Sequence, residues 1–409
     1  MNDITVYTLD LTSDYFSLLS KDFPLQTYKK ILFTDSIFSF YPYAEISIKD
    51  PMGIIGGSLP FIEGMPFSIK FGFEKRKIQD REVGGYIEHD FISSELQIKP
   101  EAASEIISGI PLIMFISKHF EKDFKECNIY KDVTVSEIVK NIISSKYSKI
   151  KNKFITETNG KINVSQYNIK TKDFIKNLCS YAYSQSQPAE GFYTFINLKN
   201  EIYFTTLFDL FNKQQPIKKF YFKISPEMTL DDTIIQNYFI LYGGLPQHYN
   251  HYANNTIYLN SSGQLVKETK QIQEYIKQYG NKSKLTITKQ SLPEKQSQNN
   301  YIGIIQDKEN EKYISQAKRN YMLRDALITY RMSINVHFDP ELVTGKIVEL
   351  EIKKKTDKDI LPSQEYSGKW LIIESKHYIN DKNMAYTQLL LTKPTLEIDS
   401  NNPQYKNLI

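Results

Sequence analysis

The sequence predicts a β-rich α+β fold, and three observations carry that prediction. Tyr and Phe favour strands, and they dominate an aromatic share of 13%, with 29 Tyr and 24 Phe beside a single Trp. Ala44, Ile46 and Ile48 alternate with Glu45, Ser47 and Lys49, and Phe67, Ile69, Phe71 and Phe73 alternate with Ser68, Lys70, Gly72 and Glu74. A period of two marks a half-buried strand, and it returns near the C-terminus in Met332, Ile334, Val336 and Phe338.

The elements follow in order. Asp50-Pro51-Met52-Gly53 ends the first alternating run with turn chemistry, and Gly56-Gly57, Gly64 and Gly84-Gly85 break up the extended chain as far as Ile98. Short strands between glycine turns predict a small antiparallel barrel or sandwich over residues 1–110. Residues 111–215 change character and read as an α+β domain. Thr134-Val135-Ser136-Glu137 fits a capping box, followed by Val135, Ile138, Val139, Ile142 and Ile143 at helical spacing. A second helix is predicted from Thr171 to about Tyr183. A hairpin follows, with Phe192, Thr194 and Ile196 facing Ile202, Phe204 and Thr206 across Lys199-Asn200.

Residues 216–250 return to strands with a break at Gly243-Gly244. Residues 251–312 are rich in Lys, Gln, Asn and Ser and read as an exposed insertion. Helical spacing through Tyr313, Ile314, Ala317, Tyr321, Met322 and Leu327 extends it, so the polar insertion with its helix spans 251–324. In the C-terminal region Pro340 and Gly345 bracket a turn and Lys346–Ile352 is a strand. Trp370–His377 and Tyr386–Thr392 form a hairpin across Asn380–Asn383. Residues 399–409 are a tail. No repeat of fixed period is present, but the first and last β regions are compatible with one kind of small barrel used twice.

Composition narrows the function. A length of 409 residues predicts two or three domains. The 51 basic and 47 acidic side chains leave a net charge of +4, which argues against a dedicated DNA-coating protein. Five of the basic residues are Arg: Arg76, Arg81, Arg319, Arg324 and Arg331. Two cysteines, Cys127 and Cys179, exclude a disulfide scaffold and suit a reducing compartment. No signal peptide is visible at Met1–Asp10. The longest apolar run, Ile110–Ile116, is far shorter than the ~20 residues that span a bilayer, so stable membrane insertion is not expected.

Motifs that could carry chemistry are few. His248 and His251 stand three apart near Asp231 and Asp232, but zinc needs a third and fourth ligand at defined spacing, and the pair reads as a polar loop. Glu88-His89-Asp90 places carboxylates beside an imidazole, yet neighbours on a strand face opposite ways, so the three read as a solvated strand edge. Glu227, Asp231 and Asp232 offer a carboxylate pair for glycoside hydrolysis, with no spacing argument behind it. No GxSxG or P-loop occurs, and the Gly-Gly pairs lack a dinucleotide-site context, so they read as turns or bulges. Lys and Tyr residues over Tyr275–Lys284 could stack on single-stranded nucleic acid, but Glu268 and Glu274 interrupt them. No catalytic, cofactor-binding or metal-ligating residue is therefore expected.

The order of elements is more specific than any motif. Ala44–Asp50 and Gly64–Lys70 open it; Val133–Val139, Gln166–Leu178 and the Gly191–Thr206 hairpin follow; Gly368–His377 and Tyr386–Thr392 close it. This succession resembles the tail or baseplate hub proteins of contractile phages, related to the phage late-control proteins and to the spike-hub proteins of type VI secretion. The resemblance spans roughly residues 25–395, with 251–312 outside it.

The resemblance implies two antiparallel β-barrel tube domains, over 1–110 and over 216–250 with 325–398. It implies a homotrimeric ring that joins a six-fold tail tube to a three-fold central spike. Such a ring lines a conduit for DNA or effector, and the α+β domain contacts other baseplate proteins. Further partners would be tube-initiator and tape-measure proteins. The location implied is the virion tail, assembled in the host cytoplasm, with no enzymatic activity. The alternatives are a tail-associated cell-wall hydrolase and a single-stranded nucleic-acid-binding protein.

Overall fold

A computed structural model describes residues 8–13, 17–18, 28–48, 63–78, 81–100, 109–150, 152–186, 190–222, 233–242, 255–259, 262, 264–268, 299–304, 311–324, 328, 330–355, 360–362, 366–379 and 385–393. The protein is β-rich α+β, as its alternation predicts. The first β group holds β1 (Thr8–Thr12), β2 (Ser17–Leu18), β3 (Tyr28–Ser36), β4 (Tyr43–Ile48), β5 (Pro66–Ile78), β6 (Arg81–Pro100) and β7 (Gly109–Ser117). They pair antiparallel in the order β3-β4-β7-β6-β5-β1-β2. The expected boundary at 110 falls inside β7, which pairs with β4 and β6.

This sheet curls strongly. β3 and β5 are four inter-strand steps apart, roughly 19 Å on a flat sheet. Yet Phe33 of β3 stacks on Phe71 of β5 with ring centroids 5.4 Å apart. Only a sheet rolled around its apolar face brings those rings together. Gly72 and the Gly84-Gly85 pair permit the close approach of β5 and β6. A Cβ on Gly72 would lie 2.1 Å from the Gly85 carbonyl oxygen, and the register shifts between Phe73 and Arg76.

The middle of the chain holds β8 (Lys125–Thr134), α1 (Val135–Lys146), β9 (Asn152–Ile155), β10 (Lys161–Lys170), α2 (Thr171–Leu178), β11 (Phe192–Ile196), β12 (Glu201–Thr206) and α3 (Leu207–Lys213). The capping box is present: Thr134 Oγ1 accepts from the Glu137 N–H, and the Glu137 carboxylate accepts from the Thr134 N–H. Thr134→Ala is expected to cost about 1 kcal/mol, measured as a shift in the denaturation midpoint. α2 stops at Leu178, short of Tyr183. Ser180 and Tyr181 N–H groups bond three residues back, to Asn177 and Leu178, and tighten the last turn. The buried apolar residues of α1 and α2 share one core with Phe192 and Ile196 of β11 and Ile202 and Phe204 of β12.

The rest comprises β13 (Pro216–Tyr221), β14 (Asn237–Tyr242), β15 (Asn255–Leu259), β16 (Leu265–Glu268), β17 (Asn299–Ile304), α4 (Glu311–Leu323), β18 (Tyr330–His337), β19 (Ile347–Glu351), β20 (Lys353–Lys355), β21 (Ile360–Pro362), β22 (Gly368–Ile379) and β23 (Ala385–Lys393). α4, which the sequence places with the polar insertion, inserts Ile314 into the α+β core. β15, β16 and β17 form a small separate sheet. β14, β18, β23, β22, β19 and β13 form the second β group around Met332, Ile334, Val336, Trp370, Ile372, Leu389 and Leu391. Just before β14, Ile235 N–H donates to Tyr221 C=O and Tyr221 N–H donates to Thr233 C=O. The run into β14 therefore lies back against β13.

The two β groups are one 13-stranded sheet, continuous through β22. Along one edge, the first part of β22 (368–371) pairs with β19 and the second part (374–379) with β3. Its other edge pairs with β23.

Candidate functional site

The most elaborate side-chain network among the described residues lies where the three modules meet. The crossover in β22 is the first part of that junction. Ile372 exchanges backbone hydrogen bonds with Gly345 and Lys346, while the next residue, Ile373, accepts from the Ile37 N–H. One dipeptide thus changes partners from the second β group to the first. Ile37, Ile347, Leu371 and Ile373 are buried there with Tyr193, Phe195 and Tyr203 of the β11–β12 hairpin.

Beside the crossover lies Asp35, fully buried on β3. Its Oδ1 accepts from the Thr344 N–H at 3.2 Å and from the Thr344 hydroxyl at 2.8 Å. Its Oδ2 accepts from the Leu198 N–H at 2.9 Å. One carboxyl from the first β group thereby satisfies donors from the α+β hairpin turn and from the loop before β19. Burial pushes its pKa up to about 7, against the lowering effect of those three donors.

The turn that offers Leu198 is itself built by side chains. Asn197 Oδ1 accepts from the Lys199 and Glu201 N–H groups, and Asn200 takes a φ of 56°. Asn197 Nδ2 donates to Thr344 C=O at 3.1 Å and to Glu201 at 2.8 Å. Lys346 Nζ lies 2.8 Å from the Glu201 carboxylate, and the Tyr203 hydroxyl donates to it at 2.8 Å. Burial alone would raise the Glu201 pKa, but Lys346, Asn197 and Tyr203 together hold it below the usual carboxylate range. A buried polar network satisfied at every member fixes relative geometry as well as adding stability.

Two buried histidines are each hydrogen-bonded to a serine. Ser375 Oγ donates to Leu342 C=O, so it accepts from His377 Nε2, 3.0 Å away. His377 Nδ1 then accepts from the Thr387 hydroxyl at 3.0 Å. This network assigns the Nε2–H tautomer, in which the imidazole cannot take the serine proton. All three side chains are wholly buried. His89 pairs with Ser117 Oγ at 2.8 Å. The expected solvated edge at Glu88-His89-Asp90 is corrected: β6 is paired on both sides, by β5 and β7. His89 faces inward, while Glu88 and Asp90 face out.

Burial lowers the pKa of His377 to about 3. Burial, with His119 nearby, lowers that of His89 to about 3 as well. The stability each imidazole contributes is present above the ordinary histidine value and is lost as pH falls toward the folded value. Asp35 works in the opposite sense: its contribution is present below the ordinary aspartate value and is lost as pH rises through about 7. Two imidazoles outweigh one carboxyl, so unfolding takes up protons between about pH 4 and 6 and stability rises with pH there. A urea-midpoint series should show that rise; a flat or falling profile would contradict it.

Of the other sequence candidates, Glu227, Asp231, Asp232, His248, His251 and the stretch 275–284 lie outside the described residues. Cys127 and Cys179 are both free, the first exposed and the second buried. Gly84 and Gly85 sit at the β5–β6 register shift, as a bulge reading expects. No group of three or more His, Cys, Asp or Glu among the described residues is placed to hold a metal. The junction itself was missed. Asp35 and Thr344 are 309 residues apart, and neither carries a local signal.

A single chain with two β groups on one sheet, an α+β module between them and a polar network at the junction defines a class of fold. No family model matches the sequence, and no curated protein does. Solved structures do match. The tail protein from Neisseria meningitidis MC58 is similar with a TM-score of 0.54 at 8% identity, over 95% of this chain and 96% of that one. The 43 kDa tail protein of prophage MuSo2 from Shewanella oneidensis is similar with a TM-score of 0.50 at 10% identity, over 95% and 98%. A chain of the lidded Francisella PdpA-VgrG complex is similar with a TM-score of 0.50 at 11% identity, over 97% of this chain and 55% of that one. The protein has the fold of phage tail proteins, and the resemblance to the tail and baseplate hub family is matched at the level of the fold.

Proposed function

We propose that the protein is a structural tail hub: three copies close a ring that joins a six-fold tail tube to a three-fold central spike. The ring lines the conduit for DNA or effector. The observation that carries this reading is the sheet continuous through β22, which holds two β modules in one fixed relation within each copy. Three copies then offer six similar modules to a six-fold tube while keeping three-fold symmetry for the spike. Closed cyclic symmetry also covers sheet ends that would otherwise seed open-ended association.

Both modules are read as small barrels. The return of the segment before β14 onto Tyr221 supports closure of the second, and the Phe33–Phe71 stack supports the curl of the first. The first tube-like module is assigned to 1–110 with the remainder of β7, and the second to 216–250 with 325–398. The α+β module over 111–215 is peripheral and meets other baseplate proteins. The polar insertion covers 251–324, and its helix docks on the α+β module.

The partners are the spike, tube or tube-initiator subunits and, through the lumen, the tape-measure protein and passing DNA. The site of action is the virion tail, assembled in the host cytoplasm. No enzymatic step is assigned, and the sealed Ser375–His377–Thr387 network supports that.

The test is co-assembly with the spike and tail-tube subunits of the same particle. The reading expects a complex of three hubs with three spike chains that caps tube ends. Failure to associate with either subunit would overturn it.

A further inference from the structure

The β8–β10 ribbon presents a face that nothing in the described structure covers. Its inner residues, Tyr130, Val133, Ile162, Val164 and Ile169, pack on the helices of the α+β core. Its outer face carries Ile129 at 73% exposure and Tyr167 at 78%, with Phe124 at 64% just before β8. Exposed Cys127 stands opposite Tyr167 in the register. Scattered exposed apolar residues are ordinary, but Cys127, Ile129 and Tyr167 lie together on one ribbon face and form a patch.

Two further features say what kind of partner fits. First, β8 pairs only with β10 and β10 only with β8, so among the described residues the outer edge of β8 bonds to no strand. A two-stranded ribbon is the smallest sheet and gains most from a third strand. Second, period-two alternation puts Lys125, Cys127, Ile129 and Lys131 on the same exposed face. Nearby cations are committed: Lys161 pairs with Asp132 and Lys146 with Glu126. Lys125 and Lys131 have no acidic partner among the described residues. They stand roughly 20 Å apart along the strand, one at each end of the apolar stretch.

We propose that the outer edge of β8 takes an extended segment of a protein partner as a third strand. In that segment two acidic side chains six residues apart bracket two apolar ones. Cross-strand pairing would place the acids opposite Lys125 and Lys131, and the apolar residues opposite Cys127 and Ile129. Main-chain hydrogen bonds supply affinity, and the alternate side chains supply specificity. The surface stands independently of ring closure, so a failed trimer would leave it intact.

The probes are two labelled peptides, Glu-Thr-Val-Thr-Val-Thr-Glu and Lys-Thr-Val-Thr-Val-Thr-Lys, titrated by anisotropy against the full chain. The acidic peptide should bind at least about tenfold more tightly, since paired charges across an interface set partner choice. The double variant Lys125→Glu with Lys131→Glu should reverse that preference. Ile129→Asn should weaken the acidic peptide several-fold and leave the charge preference in place. These positions are exposed, and unchanged thermal midpoints will show that the variants fold. Equal binding of the two peptides, or a preference untouched by charge reversal, would overturn the proposal. So would the absence of saturable acidic-peptide binding up to roughly 1 mM, or displacement of that peptide by oligothymidylate, which would mark a nucleic-acid surface instead.

Discussion

Phe338→Ala will lower the unfolding free energy by about 3–5 kcal/mol, the range for deleting a buried aromatic ring. Phe338 follows β18 in the second β group, yet its ring is buried in the core of the first. It lies 5.0 Å from Phe71, 6.2 Å from Phe73 and 5.7 Å from His377, centroid to centroid. The cavity would open at the contact between the two β groups, so the loss should fall on their coupling. Chemical denaturation should resolve two transitions in the variant where the parent unfolds with one. Phe239→Ala is the control, because Phe239 is largely exposed; it should change stability by less than about 0.5 kcal/mol. A Phe338→Ala effect no larger than that of the control would mean the two groups are not packed as one.

Asp35→Ala should act on all three modules together. It removes the acceptor of the Leu198 N–H, the Thr344 N–H and the Thr344 hydroxyl. Each buried donor left without a partner costs about 1–3 kcal/mol. Relief of the buried carboxyl offsets part of that, so a net loss of about 2–4 kcal/mol is expected. The sharper readout is local. Hydrogen exchange at the Leu198 and Thr344 amides should speed up strongly, while the α1 amides keep their protection. Asp35→Asn retains one acceptor oxygen and should fall between the parent and the alanine variant. Unchanged exchange at both amides would show that the carboxyl does not hold the junction.

What the chain reveals before folding depends on whether a residue's partner is close in sequence. The strands around Ala44–Ile48, Phe67–Phe73 and Met332–Phe338 are legible because one face meets the core and the other meets solvent or a neighbouring layer. The Thr134 cap is legible because its partner, Glu137, is three residues away. Thr206 caps a helix too, by a one-way bond: it accepts from the Asp209 N–H and starts α3, and the Thr-Leu-Phe-Asp spacing is a usable signal.

The parallel pairings of β9 with β12 and β13 with β19 have no local signature, since register between distant strands is set by packing. His89 misled for a related reason. Alternation showed that it and its acidic neighbours face opposite ways, but not that β6 would gain a strand on each side and seal the imidazole inside. The junction is the extreme case. Asp35, Asn197, Glu201, Thr344 and Lys346 are ordinary polar residues until the fold brings them within hydrogen-bonding distance.

In the proposed hub each copy carries two β modules as one unit, and three copies close into a ring. Native mass measurement of the purified protein, together with particle images of the same sample, tests it most directly. The account expects a mass near three times 47.7 kDa and a ring with a central hole, three-fold in detail and close to six-fold in outline. A protein that stays monomeric at high concentration, or assembles without a central opening, would contradict it.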